Sequence, residues 1–158
     1  EEAMNSALSE IWENRDETVP VKNERELLTL ASIVEKETGV AEERPLVASV
    51  FVNRLRKGMR LQTDPTVIYA LTGGKTELER ALTKKDLLID NPYNTYKYYG
   101  LPPAPICNPG RAALAATAHP EISNYLYFVA DGAGGHNFAA SLNEHNRNVS
   151  SWKKQRQK

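Results

Sequence analysis

Two carboxylates near the end of an apolar run, Glu35 and Glu37 in LASIVEKETG, are the residues of this chain best suited to proton chemistry. The run before them places Leu27, Leu30, Ala31, Val34 and Thr38 on one helical face by the i, i+3, i+4, i+7 rule. At about 100° per residue, Glu37 falls on one shoulder of that face, a turn beyond Ile33, and Glu35 falls on the other. A carboxyl on such a shoulder is half sheltered, and loss of water favours its neutral form. The negative end of the helix dipole pushes the same way. A proton held near neutrality is what a general acid needs, although the commoner fate of a last-turn glutamate is solvation, here beside Lys36 or Arg44.

Other polar groups divide between structural and chemical roles. In QTDPT, Asp64 has a structural explanation as a helix N-cap ahead of Pro65, whereas Gln62 and Thr63 have none. The YNTY stretch, Tyr93 to Tyr96, either plugs a loop against the core or forms a cleft wall, where Tyr93, Asn94 and Tyr96 offer rings and amides to a polyhydroxylated ligand. His119, His136 and His145 show no metal-ligand spacing, so no metal site is expected. Cys107 is the only cysteine, which rules out a disulfide within the chain and points to an incidental thiol. The DGAGG glycines follow a strand without opening a helix, so they read as a hairpin turn and not a phosphate loop.

The elements that must position these groups are mostly helical. A helix over residues 2–14 turns Met4, Leu8, Ile11 and Trp12 inward, and TVPVKN breaks it. The glutamate-bearing helix then runs to about Thr38, with Gly39 as its C-cap. PLVASVFVNRLRKG starts at Pro45, is apolar nearly all round and stops at Gly58, which predicts a central helix. A helix of about two turns follows Asp64 and stops at Gly73, and Thr83 caps another short one through Leu88. Residues 91–110 hold five prolines and two glycines, with four of the seven tyrosines in 93–99, which predicts a long but ordered loop. Asn108 and Pro109 cap an alanine-rich helix. NYLYFVA, 124–130, and HNFAA form a hairpin, and a last helix carries Leu142, His145, Val149 and Trp152 on one face. The predicted class is a mainly helical α+β domain with one small β-hairpin.

The length, 158 residues, suits one core, and 20 basic against 20 acidic residues give a net charge of zero, which argues against nucleic acid as a partner. Charge is uneven along the chain: residues 1–20 hold six acids and one base, and 145–158 hold five bases and no acid, a pattern usual for solvated ends. No apolar run approaches the ~20 residues of a membrane span. The chain opens in mid-helix, so it reads as a fragment with targeting and anchoring parts upstream.

Taken in order, LASIVEKETG, VFVNRL, GMRLQTDPTVIYAL, YNTY, GLPPAPICNPG and YLYFVADGAGGHNF resemble the endolytic murein transglycosylase (MltG, or YceG-like) family, from about Glu26 to Trp152. The resemblance implies a lysozyme-like catalytic domain over 23–158, with 1–22 leading in from a LysM-like domain and a membrane anchor. It places the protein at the periplasmic face of a bacterial inner membrane, acting on peptidoglycan glycan strands beside peptidoglycan synthases. It implies cleavage of the bond between N-acetylmuramic acid and N-acetylglucosamine, with a 1,6-anhydro end and no cofactor. Lytic transglycosylases place a Glu-Ser pair after an apolar helical run. Glu37-Thr38 matches that pair, so Glu37 is the expected catalytic acid, with Glu35 and Asp64 supporting it. Gln62, Thr63, Tyr93, Asn94, Tyr96 and Asn137 are the expected sugar contacts. Two other readings stay open: a lysozyme-type hydrolase with Asp64 as second carboxylate, and a glycan-binding module without catalysis.

Overall fold

The computed structural model describes residues 2–156, with side chains from 5 to 155, so the expected inward turn of Met4 lies outside the described side chains. Helix α1 spans Glu2–Glu13, α2 Glu24–Glu37, α3 Arg44–Lys57, α4 Asp64–Thr72, α5 Arg111–Ala118 and α6 Leu142–Arg156. Strands β1, Tyr127–Ala130, and β2, His136–Ala139, complete a mainly helical α+β fold. The core lies where α2, α3 and α5 meet, and α1 packs on α5 and α2 through Leu8, with Ile11 and Trp12 partly covered. None of the described helices is long and apolar enough to cross a membrane.

Helix α2 starts where the Asn23 side chain accepts the Glu26 amide at 2.9 Å. Leu27, Leu30, Ala31 and Val34 are fully buried, as the periodicity predicts, and Ile33 is buried beside them. The end differs from the expectation. Thr38, not Gly39, is the C-cap; its backbone is extended (φ −146°, ψ 139°) and its buried hydroxyl accepts the Val40 amide at 3.0 Å. The chain therefore leaves the helix without a left-handed residue, and Glu37 is the last helical position. In α3, Val47, Ala48, Val50, Phe51 and Val52 are buried, and Gly58 closes the helix at φ 70°, a conformation that favours glycine.

Two other caps come from elsewhere than the sequence indicates. Asp64 is the first helical residue of α4, and Thr63 occupies the N-cap without a side-chain bond. Asp64 is thus free to bond Tyr96. At α5 the N-cap is Gly110, and its amide is taken at 2.6 Å by Glu35, 75 residues earlier, in place of Asn108. Thr83 accepts the Asp86 amide at 3.2 Å as expected, but only a single 3-10 turn, Asp86–Leu88, follows.

The long loop is ordered by its own side chains. Asn94 is fully buried; its amide nitrogen donates to the Leu87 and Ile89 carbonyls, both at 2.9 Å, and its oxygen accepts the Tyr96 amide at 3.0 Å. Further on, the Ile106 amide donates to the Ser32 hydroxyl at 3.0 Å and the Cys107 thiol to the Ser32 carbonyl at 3.3 Å.

The first strand is shorter than the predicted 124–130. The Ser123 and Tyr125 carbonyls accept from the Asn53 amide at 3.0 and 2.9 Å, and the Leu126 carbonyl accepts from Arg54 at 2.7 Å. Helix α3 thus occupies the groups that a longer partner strand would need. The hairpin pairs Phe128 with Phe138 and Ala130 with His136, and Phe128 meets Phe51 edge-on at 5.9 Å. Glu43 anchors the returning strand, accepting the His136 amide at 2.9 Å and lying 2.7 Å from its ring nitrogen Nδ1.

Replacing the buried Asn94 by alanine strips partners from two part-buried carbonyls and one amide. Asn94→Ala is expected to cost about 2–4 kcal/mol, read from urea unfolding midpoints.

Candidate active site

The C-terminus of α2 opens into a cleft of about 440 Å³. Glu37 stands at its head, with Phe51 and Arg54 of α3, Gln62 and Asp64 at the start of α4, Tyr96 of the long loop, Tyr127 of the hairpin and His145 of α6 around it. Glu37 keeps partial solvent contact from the open side, yet protein surrounds the carboxyl. Burial is the main reason that its pKa is raised to about 7, and the nearby Asp64 charge adds to the effect. The Thr63 hydroxyl beside it pulls the pKa partly back down. That hydroxyl is buried without a well-aligned partner of its own, so the opposing pull comes from an imperfect contact.

Asp64 is held by Tyr96, whose hydroxyl donates to its carboxylate at 2.5 Å. Burial raises the Tyr96 pKa, and the Asp64 bond and the charges of Asp64 and Glu37 raise it further, so the phenol stays a donor. Thr95 clips this loop to the start of α4. Its hydroxyl accepts the Thr63 amide at 3.0 Å and bonds the Thr66 hydroxyl at 2.8 Å, while its carbonyl accepts the Gln62 amide at 3.2 Å. Gln62 is held at φ 51°, the sole positive value among the described non-glycine residues. Such a conformation costs about 1–2 kcal/mol and persists only where surrounding contacts impose it.

The structure separates the sequence-derived candidates. Glu37, Gln62, Asp64 and Tyr96 share the cleft, and Thr63 lies buried against Glu37. Glu35 instead caps α5; burial first, then Asp64 and Thr63, set the proton affinity of Glu37. Three expected sugar contacts lie outside the cleft lining. Asn94 is sealed in the loop with its amide satisfied, and Tyr93 packs on Tyr69 at 4.7 Å, away from the cleft lining. Asn137 is exposed on the hairpin outside the cleft. A side chain's facing within an irregular loop or a four-residue strand has no periodicity long enough to read.

Arg54 and Tyr127 were missed. The available signal for Arg54 was a cation inside the otherwise apolar stripe of VFVNRL, at a position where a core helix does not ordinarily spend a charge. Tyr127 gave no signal beyond its place in a strand. His145, expected on an apolar stripe, stacks on the Tyr127 ring at 4.9 Å.

Fold and site together define a mainly helical domain that presents one carboxyl of raised pKa in an open, ring-lined cleft. Comparison with known proteins identifies the relatives. The model of the YceG-like family matches residues 1–151, and the chain belongs to that family. It is 51% identical over 121 residues to the endolytic murein transglycosylase of Bacillus subtilis, covering 77% of this chain and 32% of that protein. It is 43% identical over 128 residues to the endolytic murein transglycosylase of Streptococcus pneumoniae, covering 78% and 23% respectively. The chain therefore spans a third or less of these relatives. A crystal structure of a YceG-like protein from Listeria monocytogenes superimposes with a TM-score of 0.72 at 51% identity, over 78% of this chain and 39% of that one.

Between its ordinary 4.5 and about 7, the Glu37 carboxyl holds a proton in the folded chain that the unfolded chain has released. Stability therefore falls as pH rises through that window. Glu37→Gln is expected to be more stable than wild type by roughly 2 kcal/mol at about pH 8, with the gap closing toward about pH 4. Urea unfolding across this range measures it.

Proposed function

We propose that the chain is the catalytic part of an endolytic peptidoglycan lytic transglycosylase with Glu37 as its acid and base. The observation that carries this reading is a single sheltered carboxyl, its pKa raised to about 7, at the head of a cleft in a chain whose relatives bear that name. Protonated Glu37 donates to the oxygen linking muramic acid C1 to the next sugar as the C1–O bond breaks. The resulting glutamate accepts the proton of the muramyl C6 hydroxyl as that oxygen bonds to C1. No water is consumed, and the acid is regenerated with the closing of the anhydro ring. Proton transfer of this kind contributes about 10²–10⁴-fold.

Asp64 and Tyr96 support the proton affinity of Glu37, and the strained Gln62 presents its amide to the glycan. A second groove of about 910 Å³ adjoins the cleft at Asp64, with Lys36 and Tyr69 on its walls, so a strand can continue beyond the cut. On this reading the protein works at the outer face of the cytoplasmic membrane, which is the periplasmic face in a two-membrane envelope, beside the synthases that supply nascent strands.

One observation favours a second reading. Asp64 lines the same cleft, and a retaining muramidase needs a second carboxylate about 5–5.5 Å from its acid. Mass spectrometry of the products separates the two, because hydrolysis leaves a fragment one water heavier than the anhydro end.

Glu37→Gln is expected to lower kcat by about 10²-fold or more, with glycan binding retained. Wild-type kcat should fall as pH rises through about 7, where Glu37 loses its proton. Unimpaired turnover in Glu37→Gln would remove Glu37 from the mechanism.

A further inference from the structure

Among the described residues, Arg54 is the single buried lysine or arginine, 7% exposed, and it lines the wall of the Glu37 cleft. Its Nε donates to the Leu126 carbonyl at 2.7 Å and its Nη1 to the Arg60 carbonyl at 2.8 Å. The guanidinium carbon lies 5.0 Å from the centroid of the Tyr127 ring. All three partners are neutral. No carboxylate lies within ion-pair distance among the described residues, and Nη2 makes no hydrogen bond there. Burial lowers the pKa of Arg54, as expected for a charge removed from water without a counter-ion.

Fastening the hairpin does not require this charge. One position earlier, Asn53 holds the Ser123 and Tyr125 carbonyls with an uncharged amide. A buried cation without an anion is costly, and an aromatic face offsets only part of that cost. His145, across the Tyr127 ring, does not add a second charge: burial first, and then Arg54, lower its pKa. The cleft wall thus holds one fixed positive charge that meets no protein anion among the described residues.

Resting on the lytic reading above, we propose that Arg54 forms a subsite for a carboxylate carried by the substrate, which selects muramyl glycan over neutral glycan. In a murein strand the acid belongs to the muramyl unit: the lactyl carboxylate where the peptide is absent, or a carboxylate of the stem peptide where it is present. N-acetylglucosamine supplies none. Guanidinium and carboxylate form short charge-assisted bonds, and the substrate supplies the anion that the fold omits.

The test uses the full-length protein carrying Glu37→Gln, which binds without turnover, with and without Arg54→Gln. The probes are peptide-bearing strands, peptide-free muramyl strands and chitin oligosaccharides. Arg54→Gln is expected to weaken binding of a muramyl strand roughly tenfold or more while leaving chitin unchanged. Loss on the peptide-bearing strand assigns the carboxylate to the stem, and loss on the peptide-free strand alone assigns it to the lactyl group. Equal weakening on all three probes, or none on any, overturns the subsite. If Glu37→Gln protein binds no muramyl strand at all, the lytic reading falls and the subsite with it; binding indifferent to Arg54 sinks the subsite alone. Where the double variant does not fold, Glu37→Gln protein is compared on strands before and after conversion of their carboxylates to amides. About tenfold weaker binding after conversion supports the proposal, and equal binding overturns it.

Discussion

Keeping one carboxyl out of water at a helix end is the constraint on which the rest of this structure depends. Glu37 sits where the helix dipole, the shelter of the cleft and the charge of Asp64 all favour its neutral form. Burial contributes most, and the Asp64 charge adds to it. Their sum requires α2 to stop at position 37, α3 to close one side, and the start of α4 to bring Asp64 near. The extended Thr38 cap and the Thr95 clip impose two of these conditions through ordinary hydrogen bonds.

Helix α3 is the second organising element, because one of its faces serves both the core and the cleft. Val47, Ala48 and Phe51 fill the interior, while Asn53 and Arg54 take the carbonyls that lead into β1. That arrangement shortens the strand and sets Tyr127 and Phe128 against the cleft and the core. The hairpin is too small to be stable by itself. Its attachment to α3, to Glu43 and to α6 makes it a wall.

Tyr96 connects the two halves of the site. It lies 32 residues beyond Asp64 in sequence, yet its phenol fixes the orientation of that carboxylate. A tyrosine kept protonated by its surroundings holds the aspartate in place without neutralising it, so the negative charge that lifts the Glu37 pKa is preserved.

The periodicity of α2 placed Leu27, Leu30 and Val34 inward and Glu37 on a shoulder, and Pro45, Gly58 and Gly73 marked real helix ends. Those features depend on neighbours within a turn or two, which a linear string records. Which glutamate faces the cleft and which caps α5 was decided at Gly110, 75 residues from Glu35. Asn94 was indistinguishable from a ligand contact until the Leu87 and Ile89 carbonyls claimed its amide. Arg54 looked like one more residue of a core helix until the fold showed a buried cation beside an open cleft. The sequence by itself determined the six described α-helices and the pair of candidate acids, while the helix expected after Thr83 shrank to one 3-10 turn. Shelter, remote caps and charge proximity were left to the tertiary structure, because each depends on atoms brought together across tens of residues.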